Sequence, residues 1–271
     1  MLATPLSGQQ FSYIYIGQND KKLSFNKKKI SDIVDNNYVN ASVLYYFGIS
    51  FYDYSEATLE QACFDMGLDV RNVVRKLEAD PGQDPSDVLS LNEYPIDLIV
   101  EYLKHTHFLF IKQKLPYLAQ LIEGMKVPTD ELGLIARDLQ FIFPIFVEDF
   151  IHHIYEEEDT LFSYILGLND YLKYQRNQSS IYWKMEESSL QKFAMEHDQH
   201  DDEMRGIRNI TNDYDVNVNT PLHMKVIYSE LQSLEKDLKT HARIENDILF
   251  PKAMMLEKEA ILKLQSKIKL N

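Results

Sequence analysis

Two stretches of this chain repeat one chemical pattern. HIYEEEDTLF begins at His153 and HARIENDILF begins at His241, and both read His-x-x-x-Glu-x-Asp-x-Leu-Phe. In a helix of 3.6 residues per turn, residues four apart share a face, so His153 stands over Glu157 and His241 over Glu245. An imidazole and a carboxylate one turn apart form a half-site for a borderline transition metal, which accepts both ligand types. The spacing of the remaining histidines repeats too: 46 residues separate His107 from His153, and 44 separate His197 from His241. Each half therefore supplies a His and then a His-x-x-x-Glu pair, as if a helical hairpin had been duplicated. Two metal ions bridged by Glu157 and Glu245, each with terminal histidines, is the arrangement this symmetry suggests. Histidine-rich nitrogen and oxygen ligation favours iron over calcium or magnesium and leaves zinc and manganese open.

The other histidines are weighed against that set. His105 lies two residues from His107 and points elsewhere round the helix, so the first ligand is one or the other. His200 stands as an extra ligand, a partner behind the ligands or an exposed residue. His152 falls off the inward face, and His223 is too near its helix start to reach the site. Asp159 and Asp247 either orient the ligands from behind or are solvated helix charges.

Four long elements must position these residues, over about 95–125, 129–166, 181–212 and 220–258. On the fourth, Ile227, Leu231, Leu234, Leu238, His241, Glu245 and Ile248 alternate at four and three. The second runs Leu132, Ile135, Leu139, Ile142, Phe146, Phe150, His153 and Glu157. On the third, Leu190, Phe193, His197, His200, Met204 and Ile207 share a stripe, and on the first, Leu103, His107, Ile111, Leu115 and Leu118. Apolar stripes of this period face a bundle core. A Glu on such a stripe needs a counter-charge, which a bound cation supplies. GMKVPTDELG, GLNDYLKYQRNQSS and NDYDVNVNTP carry turn chemistry between the segments. Pro116 and Pro144, inside helical patterns, should kink them. The fold class expected is all-α, an up-and-down four-helix bundle over 95–260.

Ahead of the bundle the texture differs. Residues 1–27 show no helical period and form a lead-in. From 28 to 80, KKISDIVDNN, YVNASVLYYFG, ATLEQACFDMG and DVRNVVRKLEA read as a small helical domain, with Gly48 and Gly67 at C-cap positions and Asp69 as an N-cap. Residues 81–94, rich in Pro, Asp and Ser, form a linker.

Composition narrows the function. The chain has 271 residues, 28 basic against 42 acidic, for a net charge of -14. That balance argues against nucleic-acid and anionic-membrane partners. The single cysteine, Cys63, excludes an internal disulfide framework or a Cys-based metal centre within one chain and is expected to be a buried packing residue. With no secretory signal at the N-terminus and no apolar run of spanning length, a cytoplasmic protein is the default expectation.

The residues resemble a known family, the hemerythrin-like di-iron proteins that repair iron centres (the iron–sulfur cluster repair family). The motifs that carry the resemblance are EHD at Glu196–Asp198, HARIENDILFP at His241–Pro251, HIYEEEDTLF at His153–Phe162 and KHTHFLFIKQKLPYL around Leu115–Pro116. YYFGISFYDYSEATLEQACFDMGLD is similar to the family's short N-terminal domain. The resemblance implies a hemerythrin-like bundle in which His107, His153, His197 and His241 are iron ligands and Glu157 and Glu245 bridge two irons. It implies repair of iron–sulfur clusters damaged by nitrosative or oxidative stress through iron donation, with damaged iron–sulfur proteins as partners. Two departures accompany it. Where the family has Cys-Cys-Gly-Gly, this chain has Tyr52, Asp53, Tyr54 and Ser55, and the family's first-helix histidine aligns with Phe108, beside His107.

Other functions fit the same ligands. One is a module that binds or senses O2 or NO, which the loss of the Cys pair favours. Another is a nitric oxide or peroxide reductase, which would need an external electron donor because the chain carries no flavin or nicotinamide fingerprint. A homodimer through the N-terminal unit is a further expectation.

Overall fold

In the computed structural model the described residues are 25–79, 88–126, 131–175, 190, 193–194 and 202–270. Most of the lead-in, the first half of the linker and more than half of the third bundle segment, with both His197 and His200, lie outside them. The all-α expectation holds: among the described residues there is no strand, only an isolated antiparallel bridge between Lys29 and Thr58. The chain divides into two compact units, Met1–Asp80 and Pro81–Asn271.

The first unit contains α1 (Ile30–Asn36), α2 (Val39–Tyr46), α3 (Leu59–Asp65) and α4 (Val70–Glu78). Its two expected glycine caps are present. Gly48 and Gly67 take φ of 80° and 67°, a region that costs a residue with a Cβ. Each closes a Schellman motif. Ile49 N–H donates to Leu44 O and Gly48 N–H to Tyr45 O, and Leu68 N–H donates to Cys63 O and Gly67 N–H to Phe64 O. Asp69 caps α4 by accepting from the Arg71 N–H at 3.0 Å. Cys63 is buried among Leu59, Ala62 and their neighbours, as its lone occurrence suggested. Tyr52–Ser55 form a turn between α2 and α3.

In the second unit, each of the three long helices that is described in full is interrupted once by a wide π turn. The first is α5 (Ile96–Leu109), a π turn at Phe110–Lys114 and α6 (Leu115–Glu123). The second is α7 (Glu131–Glu156), a π turn at Glu157–Phe162 and α8 (Ser163–Tyr174). After the short α9 (Arg205–Thr211) comes the last helix: α10 (Leu222–Ile244), a π turn at Glu245–Leu249 and α11 (Phe250–Leu270). α5 packs on α8 and α6 on α7, so the first two helices are antiparallel. α10 packs on α6 and α11 on α8, so the last helix runs against the first and with the second. Among the described helices this is the up-and-down arrangement.

Several expectations need correction. The second and fourth helices run on to Tyr174 and Leu270, past the ends read from the sequence. Gly167 does not stop the second because Leu168 and Tyr171 beyond it are fully buried. It ends instead at Gln175, which is left-handed at φ 56°, and Lys263 Nζ donates to the Leu172 carbonyl there. The third segment does not continue as one helix to 212, since Glu203 and Met204 form a turn before α9. Pro144 lies within an unbroken α7.

The stripes also shift. On the first helix Phe110, 1% exposed, replaces Ile111 in the core, because the wide turn carries the next inward position to Leu115. On α7, Ala136, Leu139, Phe143, Phe150 and Ile154 are buried, whereas Leu132, Ile135, Ile142 and Phe146 of the expected stripe are half-buried. One apolar cluster joins α5, α8, the last π turn and α11, with Val100, Leu103, Ile165, Leu168 and Leu249 at its centre.

Candidate metal centre

The site lies at the π turns. Two of them begin at a carboxylate of the repeated motif, Glu157 and Glu245, and the third begins three residues after His107. In a π turn the backbone hydrogen bonds reach back five residues: Leu115 N–H donates to Phe110 O, and Phe250 N–H to Glu245 O. Such turns are frequent at functional sites.

Four side chains converge. His107, Glu157, His241 and Glu245 each offer a ligand atom, and all four atoms lie within 4.8 Å of one another. The Nε2 atoms of His107 and His241 are 2.9 Å apart, and His107 Nε2 is 3.4 Å from Glu157 Oε2. Within the fourth helix His241 Nε2 is 3.3 Å from Glu245 Oε1. Glu245 is 0% exposed and Glu157 6%. A carboxylate taken out of water is expensive unless a cation or several donors meet it. Two of them facing two imidazoles form a donor set that suits a borderline divalent or trivalent metal.

His153 stands one step out. Its Nε2 is 3.1 Å from Glu157 Oε1, its side chain keeps 34% of its exposure, and its ring stacks on Phe150. It borders the same cavity, about 50 Å³, which also reaches His107, Glu157, His241 and Glu245 and opens toward Met204 and Glu235. A water-sized molecule needs only about 10–15 Å³ of such space.

Of the two histidines left open on the first helix, His107 is 1% exposed and faces the cluster. His105 does not join it: this ring is exposed and stacks on Phe108, itself 53% exposed. Phe108 thus faces out, and His107 beside it faces in. His152 is exposed, and His223 takes the Leu121 carbonyl at 2.8 Å, away from the site. Asp247 meets the exposed Arg243 and Asp159 is exposed, so both are solvated helix charges.

Sequence reasoning missed Glu158. Its Oε1 lies 2.9 Å from His107 Nδ1, on the side of the ring away from the cluster. The only signal was the acidic run Glu156–Glu158, from which the motif reading took the middle carboxylate, Glu157, as a ligand and gave Glu156 and Glu158 no role. It also missed a buried polar group further along α10. Glu235 accepts from Arg208 at 2.7 Å, from Tyr214 Oη at 2.7 Å and from Lys239 at 2.6 Å. Burial pushes the Glu235 carboxyl up, but these partners together pull it below its ordinary value. The same carboxylate holds the Tyr214 hydroxyl, whose own titration burial pushes far up.

No curated protein matches the chain. The family described as the hemerythrin HHE cation-binding domain matches residues 98–253, from α5 into α11, a span that includes every residue of the cluster. With more than half of its length inside that match, and a buried His/Glu cluster where its helices widen, the chain belongs to the hemerythrin HHE cation-binding family.

Proposed function

We propose that the second unit holds two iron ions through His107, His153, Glu157, His197, His241 and Glu245, and that the protein repairs iron–sulfur clusters damaged by nitrosative or oxidative stress by donating iron. The observation that carries the metal reading is the pair of buried carboxylates, Glu157 and Glu245, set against His107 and His241 within a 4.8 Å group. His197 enters from the symmetry of the sequence and lies outside the described residues.

Each residue has a task that its position supports. Glu157 lies within reach of histidines from two helices, His107 and His153, and would hold metal together with both. Glu245, fully buried, anchors the deep side, and His153 at the rim leaves the cavity side open. Iron held there would supply a redox-active Lewis acid with room for a small ligand. Damaged iron–sulfur proteins are the proposed partners.

A second reading has a specific observation in its favour. The turn at Tyr52–Ser55 holds no cysteine, so thiol chemistry at that place is absent, and a small cavity beside the cluster suits a diatomic molecule. That supports an O2- or NO-binding sensor.

The decisive experiment is metal analysis with Mössbauer spectroscopy on protein purified without oxygen, beside a Glu157→Ala/Glu245→Ala variant. About two irons per chain, with coupled spectra lost in the variant, supports the site. Cluster-repair assays with a damaged iron–sulfur protein then separate repair from sensing. Iron-free protein, or full metal content in the variant, overturns the reading.

A further inference from the structure

We propose that Glu158 is a positioning residue that fixes the tautomer and direction of His107, so that Nε2 of that ring is the atom offered to the metal. The inference rests on the metal reading above and concerns a residue outside the ligand set.

Three observations converge on it. First, His107 is 1% exposed and both ring nitrogens are engaged, Nδ1 with Glu158 Oε1 at 2.9 Å and Nε2 with His241 Nε2 at 2.9 Å and Glu157 Oε2 at 3.4 Å. A carboxylate accepts, so Nδ1–H donates to Glu158 and the lone pair of a neutral ring is left on Nε2, inside the cluster. Second, Phe162 stacks on the His107 ring at 5.6 Å and 7° between planes, which removes rotation out of that orientation. Glu158 and Phe162 lie on the same π turn and set two different coordinates of one ring: Phe162 its plane, Glu158 its protonated edge.

Third, Glu157 and Glu158 are adjacent in sequence yet grip opposite edges of the same imidazole. Neighbours on a helix point about 100° apart, so one ring can meet both only if it is set into the notch between them. The arrangement divides the labour between two carboxylates that composition alone cannot tell apart. The buried one faces the cluster. The other, with 28% of its side chain exposed, holds the ring from behind. A carboxylate behind a ligating imidazole raises its basicity and locks its orientation.

The first test needs no metal. Nitrogen NMR of the imidazole rings in metal-free protein at about pH 8, assigned with His107→Gln, should find His107 protonated at Nδ1 in the wild type. Glu158→Ala should lose that bias, whereas Glu158→Gln, whose amide oxygen also accepts, should keep it. Iron titration then follows on the same proteins. Glu158→Ala should weaken binding by about 10–100-fold, the range for a partner behind a ligand, and alter the Mössbauer signal of one iron. Glu158→Gln should recover most of both, and Asp159→Ala, exposed on the same turn, should change neither.

His107 protonated at Nε2 in the wild type overturns the proposal, as does an unchanged tautomer and affinity in Glu158→Ala. If Glu158→Ala does not fold, the wild-type tautomer and Glu158→Gln still decide it. Failure of the wild type to take up iron defeats the metal reading and leaves the tautomer result to be read by itself.

Discussion

The two halves of the internal repeat share a motif and differ in depth. His153 and Glu157 lie 88 residues before His241 and Glu245, and both pairs run into a π turn. Yet the His153 side chain is 34% exposed and that of His241 9%, and the carboxylates are 8% and 0% exposed. His241 is enclosed by Phe110, edge-on at 5.9 Å, and by His107 at 4.7 Å between centroids, whereas His153 meets Phe150 and the cavity. The motif sets which ligand types are offered, and the residues around it set how far water can follow. The second half is thus an anchor and the first a doorway.

The largest expected effect tests that division directly. Glu245→Ala and His241→Ala should lower iron affinity by more than the roughly 100-fold seen for partners behind ligands, and His153→Ala by only about tenfold. Anaerobic competition against a chelator of known affinity measures both, and equal losses in the two halves would break the comparison. Next in size is the reversal of sign on metal removal. Stripped of metal, the wild type keeps a buried carboxylate at Glu245, so Glu245→Gln should be more stable than wild type by on the order of 1–3 kcal/mol in the metal-free state. With iron bound the order should invert, and calorimetry on both forms reads it. His153→Ala should be near neutral in the metal-free protein.

A smaller effect separates the halves by pH. In the repeat, Glu230 of α10 stands where α7 has Ile142. Burial pushes the Glu230 carboxyl up to about 7 from 4.5, against the pull of Lys114. A folded-state value above the unfolded one means that the folded chain binds this proton more tightly. The stability it contributes is therefore whole below about pH 4.5 and is lost as pH rises through about 7. Between about pH 5 and pH 8 the wild type should lose on the order of 1 kcal/mol that Glu230→Gln does not, after allowance for solvent screening. Denaturant melts at the two pH values check it, and parallel slopes would refute it.

The smallest effect concerns the prolines. Pro251 follows the last π turn, but the equivalent position after Glu157–Phe162 is Ser163, and the wide turn forms there all the same. Proline is thus not what opens the turn, so Pro251→Ser should leave metal content unchanged and stability within about 1 kcal/mol.

Much of the bundle was legible because its signals are local. The 3.6 period, the glycine caps and the repeated His-x-x-x-Glu pairs are properties of single segments. His107 was found by its apolar stripe, although His105 stood beside it with equal chemistry, and only burial separates them. What escaped was set by tertiary contact. Ile111 was placed inward and Phe110 omitted because a strict α period cannot anticipate a turn of different width. Glu158 escaped because its partner is 51 residues away, on another helix. The Arg208–Glu235–Tyr214 group escaped because its members lie on no common stripe.

The wide turn at Phe110–Lys114 bears on how this chain should be aligned with its relatives. The resemblance read from the sequence sets the family's first-helix histidine over Phe108, one place past His107. A π turn, however, is how a helix absorbs one inserted or deleted residue without disturbing either flank. One extra residue absorbed in the π turn at Phe110–Lys114 would account for a shift of that size while Leu115–Pro116 stays fixed. Relatives of this chain should therefore be compared with the gap confined to its π turns, where a shift in spacing is tolerated and a ligand can move by one position without leaving the site.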